Sequence, residues 1–402
     1  MSPHSRRQVL RSLGIGGLTA GLGVGVRTGG GWGKSDADTT SLGTGSDSVK
    51  WQTSFGEGGY QCHTITDTSS GVLLVGRTGS DRAATPWLAE VRSDGEPEWT
   101  TTFDTEGYTR AVDVASDDSG YTVLATTDEP PAIRLVKLDS VGDAQWRREL
   151  TGPDAMADEN SRLGSATNTF TNNAHILVST PDGYLIGGYD GHDPNKPESN
   201  ANAWLRAVDG SGETQWERLY DATDVAYVSE LDDGYLLAGN ATGDSWLQAI
   251  SGDGEVRWRH TYGGVGSERA VVALPTDDGI VYGGRSTSAS DRHSQAFLVR
   301  TTNDGGFVWR RTLDPQDVTD LVAFGDGFVL TGEPPSPNRS GRNPEKPVSV
   351  VNRWGRVRRT AIVSVDPGTP IGLGRLGETS VAVGGWDSDR GIWLARIDFS
   401  IE

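Results

Sequence analysis

The chain has 402 residues, 55 of them Gly, and long helix-forming runs are few, which favours many short strands and tight turns over helical classes. Its net charge of -19 gives a surface that repels phosphate backbones, so nucleic acid is excluded as an expected partner. The single cysteine, Cys62, rules out an intrachain disulfide and any cysteine-based metal site, leaving packing to supply stability.

The N-terminus reads as an address. Residues 5–11, with Arg6 and Arg7 as the pair, resemble a twin-arginine export signal. The apolar stretch of residues 13–26 is interrupted by Gly14, Gly16, Gly17, Gly21, Gly23 and Gly25, so it is too short and too Gly-rich for a membrane span. We expect a signal region over 1–27 and a flexible Gly/Ser/Thr/Asp linker over 28–48. No later segment approaches transmembrane length, so no integral span is expected in the mature chain. The expected location is extracellular or on the cell surface.

From residue 49 to 402 the chain repeats. Each unit holds a short β run after a turn, then an alternating strand, then a Gly turn leading into Trp. The β run recurs seven times, at 72–76, 121–125, 184–188, 235–239, 280–284, 328–332 and 381–385. The Gly-x-x-x-Trp ending recurs at 95–99, 142–146, 212–216, 254–258 and 305–309, while the sixth copy has Arg359 in place of Trp. Four strands with tight turns need about 40–50 residues, the size of a propeller blade. The expected fold is all-β, a seven-bladed β-propeller of four-stranded blades. A second aromatic column, Trp87, Trp204, Trp246, Phe297 and Trp393, has the bulk to fill the wedge between splayed blades, and packing is the expected role of both columns.

We label the strands of a blade A to D from the channel outward. The last unit ends after its C strand at 393–398, whereas Trp51 to Phe55 has no A to C strands before it. The N-terminal strand is therefore expected to complete the last blade and remove both open edges.

Function is expected where the connections are long. The A–B and C–D turns are tight and share one face. The longer connections, 151–172 (D–A) and 190–201, 286–295 and 333–347 (B–C), all fall on the other face. Asp190, His192 and Asp193 lie in one of them, and Asp154, Asp158 and Glu159 in another. A carboxylate–imidazole group has the chemistry to hold a divalent cation, although hydrated loop residues are the commoner case. His63 and His175 occupy equivalent A-strand positions. They either share a channel ligand or are packed strand histidines, of which the second is commoner.

The Val-Asp-x-x-Gly-x-x-x-Trp ending at 208–216, and its Leu138-led counterpart at 138–146, resemble the tryptophan-docking repeat of PQQ-like propellers. The resemblance covers nearly all of 49–402 and implies the scaffold. The dehydrogenases of that family use adjacent cysteines near the quinone and more blades, so no PQQ is expected here. Five Lys among 36 basic residues, set against 55 acidic ones, resemble the composition of halophile proteins, and haloarchaeal surface propellers are a similar match. Two functions are compatible with these features. One is an exported, monomeric binding or scaffold module that holds a surface protein or glycan on the long-loop face. The alternative is an extracellular carbohydrate-active hydrolase or lyase that uses loop carboxylates. No nucleophile elbow, zinc-protease helix, phosphate loop or zinc spacing is present, which favours binding.

Overall fold

The computed structural model describes residues 48–399, apart from 56–59, 80–83, 104–108, 129–130, 151–172, 190–202, 264–265, 289–293, 314–316, 333–344, 366–368 and 388–390. Among the described residues, 28 strands form seven antiparallel four-stranded sheets. Adjacent A strands touch all the way round, and the first sheet touches the seventh, so the sheets stand in a closed ring. The fold is a seven-bladed β-propeller, as the repeat count predicts.

Six blades run consecutively from A to D. Blade 1 comprises Gln61–Asp67, Gly71–Thr78, Thr85–Arg92 and Pro97–Thr102; blade 2 comprises Thr109–Asp117, Gly120–Asp128, Pro131–Leu138 and Ala144–Leu150. Blade 3 comprises Asn173–Thr180, Gly183–Tyr189, Ala203–Asp209 and Thr214–Tyr220; blade 4 comprises Asp224–Leu231, Gly234–Ala241, Asp244–Ile250 and Val256–Tyr262. Blade 5 comprises Gly266–Thr276, Gly279–Ser288, Ser294–Thr301 and Phe307–Leu313; blade 6 comprises Asp320–Phe324, Gly327–Thr331, Glu345–Asn352 and Val357–Ser364. Blade 7 takes A to C from Thr369–Arg375, Ser380–Asp387 and Gly391–Asp398, and its D strand is Val49–Phe55. Trp51 pairs with Arg396 and Phe55 with Ile392, which is the expected closure by the N-terminal strand. Two connections are shorter than the sequence suggests. Strand B of blade 5 runs on to Ser288 and its C strand starts at Ser294, held by a 3.2 Å hydrogen bond between Thr287 Oγ1 and Ser294 Oγ. Strand C of blade 6 starts at Glu345.

Burial explains the composition of each strand. The B and C strands are covered on both faces by neighbouring blades, so they read as near-continuous apolar runs such as Val72 to Val75. Trp87, Trp204, Trp246, Phe297 and Trp393 of the C-strand column are all buried. The D strands alternate between half-buried and exposed positions because one face meets solvent.

The D-strand Trp column has a narrower job than filling a wedge. Each D-strand indole lies against the C–D turn glycine of the next blade. Trp51 meets Gly95, Trp99 meets Gly142, Trp146 meets Gly212, Trp216 meets Gly254, Trp258 meets Gly305 and Trp309 meets Gly355. A Cβ on Gly254 would stand 2.9 Å from Trp216 Cζ3, and its φ of +86° also suits glycine alone. Trp216 Nε1 donates to Gly252 O at 3.1 Å and Trp51 Nε1 to Ser93 O at 3.1 Å, so two of these rings are also hydrogen-bonded to the turn they cover. The exception at Arg359 now has a cause. Blade 6 precedes blade 7, whose D strand comes from the other end of the chain, so blade 7 has no C–D turn. There is no turn glycine for a Trp at 359 to cover.

Two predictions follow from closure and docking. A chain beginning at residue 60 loses its seventh D strand and the Trp51 dock, and its melting temperature should fall by about 10 °C or more; calorimetry that finds it melting with the longer chain would disprove the closure. Trp216→Ala should cost about 2–4 kcal/mol in denaturant unfolding, whereas Arg359→Ala should cost under about 0.5 kcal/mol and Arg359→Trp should bring no gain.

Candidate functional site

The A strands form the channel wall and leave one backbone edge unpaired by any sheet partner. Such an edge needs substitute partners. In six blades the A–B pairing carries a register shift at the same place, near the end where the longer connections emerge. The shifts fall at Cys62/Thr64, Ala111/Asp113, Ala174/Ile176, Val225/Tyr227, Ala270/Val272 and Pro370/Gly372. A bulge leaves one residue outside the ladder and re-aims its side chain. In blades 1 and 3 that residue is His63 and His175.

Both histidines do the same thing. His63 Nδ1 donates to Ala111 O at 2.9 Å, and His175 Nε2 donates to Val225 O at 2.6 Å. Each acceptor is the residue just before the bulge of the next blade. The rings therefore stitch blade 1 to blade 2 and blade 3 to blade 4, and the sheet of blade 2 stands between them in the ring order. Other A-strand side chains lace the same wall. Thr64 Oγ1 donates to Val112 O at 3.0 Å. Asp113 accepts from Val114 N at 2.9 Å and Leu177 N at 2.8 Å. Asp320 repeats that clasp on Leu321 N and Leu373 N, both at 2.8 Å.

The charge around the mouth is uneven. His63 is largely buried, and burial pushes its imidazole down to about 4; the bond to Ala111 opposes this, while the guanidiniums of Arg77 and Arg110 add to it. The ring is thus neutral at pH 7, with its proton on Nδ1. Its neighbour Cys62 is fully buried, which pushes the thiol up to about 12 and makes it unreactive. Across the ring, His175, Asp224 and Arg269 form a line over three blades. His175 Nε2 is 3.3 Å from Asp224 Oδ1, and Arg269 Nη2 is 3.3 Å from Asp224 Oδ2. Arg269 pairs in register with Arg285 on strand B, which sets two like charges directly opposite each other. Arg285 is exposed and makes no hydrogen bond or ion pair among the described residues. On the other face of the blade, Glu268 takes a 2.5 Å ion pair from Arg310.

The buried charges on the tight-turn face look inward instead. Glu90 accepts from Thr68 and Ser70 hydroxyls, Trp99 Nε1 and Tyr121 OH. Lys137 meets Asp117 at 2.6 Å, which also accepts from Tyr184 OH at 2.8 Å. These groups are spent on holding blades together.

Asp190, His192 and Asp193 lie outside the described residues, as do Asp154, Asp158 and Glu159. Among the described residues no cluster of three or more His, Cys, Asp or Glu side chains is placed to hold a metal ion. No described helix is long and apolar enough to cross a membrane. Sequence reasoning passed over Asp113, Asp224, Arg269 and Arg285. The one available signal was the shared Asp-(Val/Leu) start of the clasp at 113 and 320; the other three show only once blades are laid side by side.

The neutral state of His63 has a pH consequence. In the unfolded chain a histidine titrates near 6.5 and in the fold near 4, so the unfolded state binds more protons between these values. The stability from the neutral ring is complete above pH 6.5 and is lost as pH falls towards 4. Urea unfolding of the parent protein should lose about 2–3 kcal/mol more than His63→Gln does between pH 7 and pH 4.5; parallel losses would contradict a neutral ring.

No protein-family model matches the chain, and no curated protein matches it in sequence. Among solved structures, the C-terminal WD40 domain of Sif2 aligns with 89% of this chain and 93% of its own, at 10% identity and a TM-score of 0.47. The uncomplexed acylaminoacyl peptidase of Pyrococcus horikoshii aligns over 85% of this chain and 53% of its own, at 8% identity and a TM-score of 0.49, so this chain spans about half of that enzyme. The β-propeller domain of the Trilobed protease from Pyrococcus furiosus, described as having an open velcro topology, aligns over 69% and 77%, at 11% identity and a TM-score of 0.40.

Proposed function

We propose that this chain is an exported propeller that acts as a binding or scaffold module at or outside the cell surface. Its ligand, a surface protein or glycan, is held on the face where the longer D–A and B–C connections emerge. One observation carries this reading. The tight-turn face spends its buried charges on internal partners, whereas the mouth beneath the longer connections keeps Arg285 exposed and without an ion pair among the described residues. Arg77 and Arg110 flank His63, and Arg269 and Arg285 stand opposite each other on blade 5. In a chain of net charge -19, an exposed guanidinium at the mouth favours an anionic group on the ligand.

Export by the twin-arginine route belongs to the same proposal and rests on Arg6 and Arg7 with the apolar stretch behind them. The series of indoles resting on turn glycines supports kinship with the tryptophan-docking scaffold, and the scarcity of Lys supports a haloarchaeal surface type. Both are scaffold or habitat traits and name no ligand.

Capture from native surface material at high salt tests the binding surface. The Arg110→Glu, Arg285→Glu double variant should retain its melting temperature and lose about tenfold or more of the captured material. Undiminished capture would move the ligand off this mouth, and glycan turnover by the parent chain would replace a binder with an enzyme. For export, replacing Arg6 and Arg7 with Lys should leave the full-length precursor inside the cell; normal secretion of that variant would remove the twin-arginine route.

A further inference from the structure

The rim of the opposite, tight-turn face carries a second feature. At two of the six Trp–Gly docks, neighbouring blades are also joined by an ion pair. Arg148 of blade 2 meets Glu213 of blade 3. Arg218 of blade 3 meets Glu255 of blade 4 at 3.1 Å. In each case the Arg stem lies against the turn glycine, and the carboxylate is on the residue after that glycine.

Blade 5 repeats the first half of this arrangement. Arg218 Nη1 donates to Glu217 O at 3.0 Å, and Arg311 Nη1 donates to Arg310 O at 2.8 Å. The Arg311 stem lies 2.9 Å from where a Cβ on Gly355 would be, as the Arg218 stem does from Gly254. The residue after Gly355 is not an acid but Arg356, so the ion-pair position holds two cations. The turn apex is changed too. Where blades 1, 4 and 5 have Asp94, Asp253 and Asp304, blade 6 has Trp354. Trp354 is 51% exposed, with the Arg353 guanidinium 4.8 Å from its ring centroid. Neither Arg311 nor Arg356 has a carboxylate partner among the described residues.

Two features of the surroundings define an occupant. Arg358, one strand position further on, is neutralised by Asp326 through two 2.9 Å bonds, so the unmatched charge stays at the blade 5–6 junction. Val357, the residue after Arg356, is 51% exposed, and Phe307 and Val308, which open the D strand of blade 5, are 65% and 46% exposed. Exposed valines offer nothing to the hydroxyls of a sugar, but they suit aliphatic side chains. We propose that the blade 5–6 junction is a docking site for a partner-protein segment that alternates carboxylates with aliphatic residues. A partner carboxylate enters between Arg311 and Arg356, where Glu213 and Glu255 serve two other junctions, and its apolar neighbours cover Trp354 and Val357. The site lies on the face opposite the channel mouth described above, so the two proposals stand or fall separately.

The test uses the full mature chain and a fluorescent peptide of alternating Glu and Leu, with a Gln/Leu peptide as control. The Glu/Leu peptide should bind, and the Gln/Leu peptide should bind about tenfold more weakly or worse. Arg356→Glu recreates the ion pair of the blade 2–3 and blade 3–4 junctions; it should weaken Glu/Leu binding by about tenfold or more while melting at or above the parent temperature. Trp354→Ser should weaken binding by about fivefold or more. Equal binding of the two peptides, or unchanged binding by Arg356→Glu, would overturn the site. Tighter binding of polygalacturonate, or of phosphatidylglycerol vesicles, than of the Glu/Leu peptide would overturn the protein partner.

Discussion

The structure depends on one contact repeated around the ring, an indole on the outer strand of six of the seven blades resting on a turn glycine of the next. The glycine is needed twice over, for a positive φ and for the absence of a Cβ, so the contact tolerates little change on either side. It also makes each blade incomplete by itself, since its turn is covered by a ring that its neighbour supplies. A propeller stabilised this way gains when the last junction closes, and the N-terminal strand achieves that by bringing Trp51 to Gly95. Arg359 shows the rule from the other direction. Where topology removes the turn, the indole is absent as well.

The channel side faces the opposite problem. Its strands cannot be covered by an adjacent sheet, and their free backbone groups need partners. The bulge supplies a side chain at a fixed height in six blades, and the resident residue decides what is done with it. Histidine stitches to the next blade, and Asp113 and Asp320, one residue beyond this height, clasp two backbone amides each. The neutral state of His63 belongs to that role, because burial disfavours a charged ring and the guanidiniums of Arg77 and Arg110 add to that.

The architecture was legible in the sequence because packing repeats. Gly-x-x-x-Trp endings and seven copies of the short β run give blade number, strand order and closure without any knowledge of contacts. The purpose of the Trp column was less legible, since a residue that fits the neighbouring unit leaves the same mark as one that fits its own. His63 and His175 were found at equivalent positions, but whether they converge depends on blades that only the ring brings side by side. Arg269 and Arg285 are 16 positions apart and become opposite neighbours only through strand register. A charge pair of this kind has no local signature. The mouth chemistry was therefore hidden while the scaffold was plain.

The same repeat logic gives irregularities their meaning. In an array of near-identical units, a position that departs from its equivalents without a topological reason carries information that a lone residue cannot. Arg359 departs for a reason that the missing turn of blade 7 supplies. Arg356 has no such reason, because the turn, the docking Trp309 and the stem of Arg311 are all in place around it. Like charges at a position that two other junctions fill with an ion pair cost stability. A protein that spends acids freely elsewhere, 55 in all, had the ordinary solution at hand in Glu213 and Glu255. The local loss is then most economically explained by a carboxylate that arrives from outside the chain.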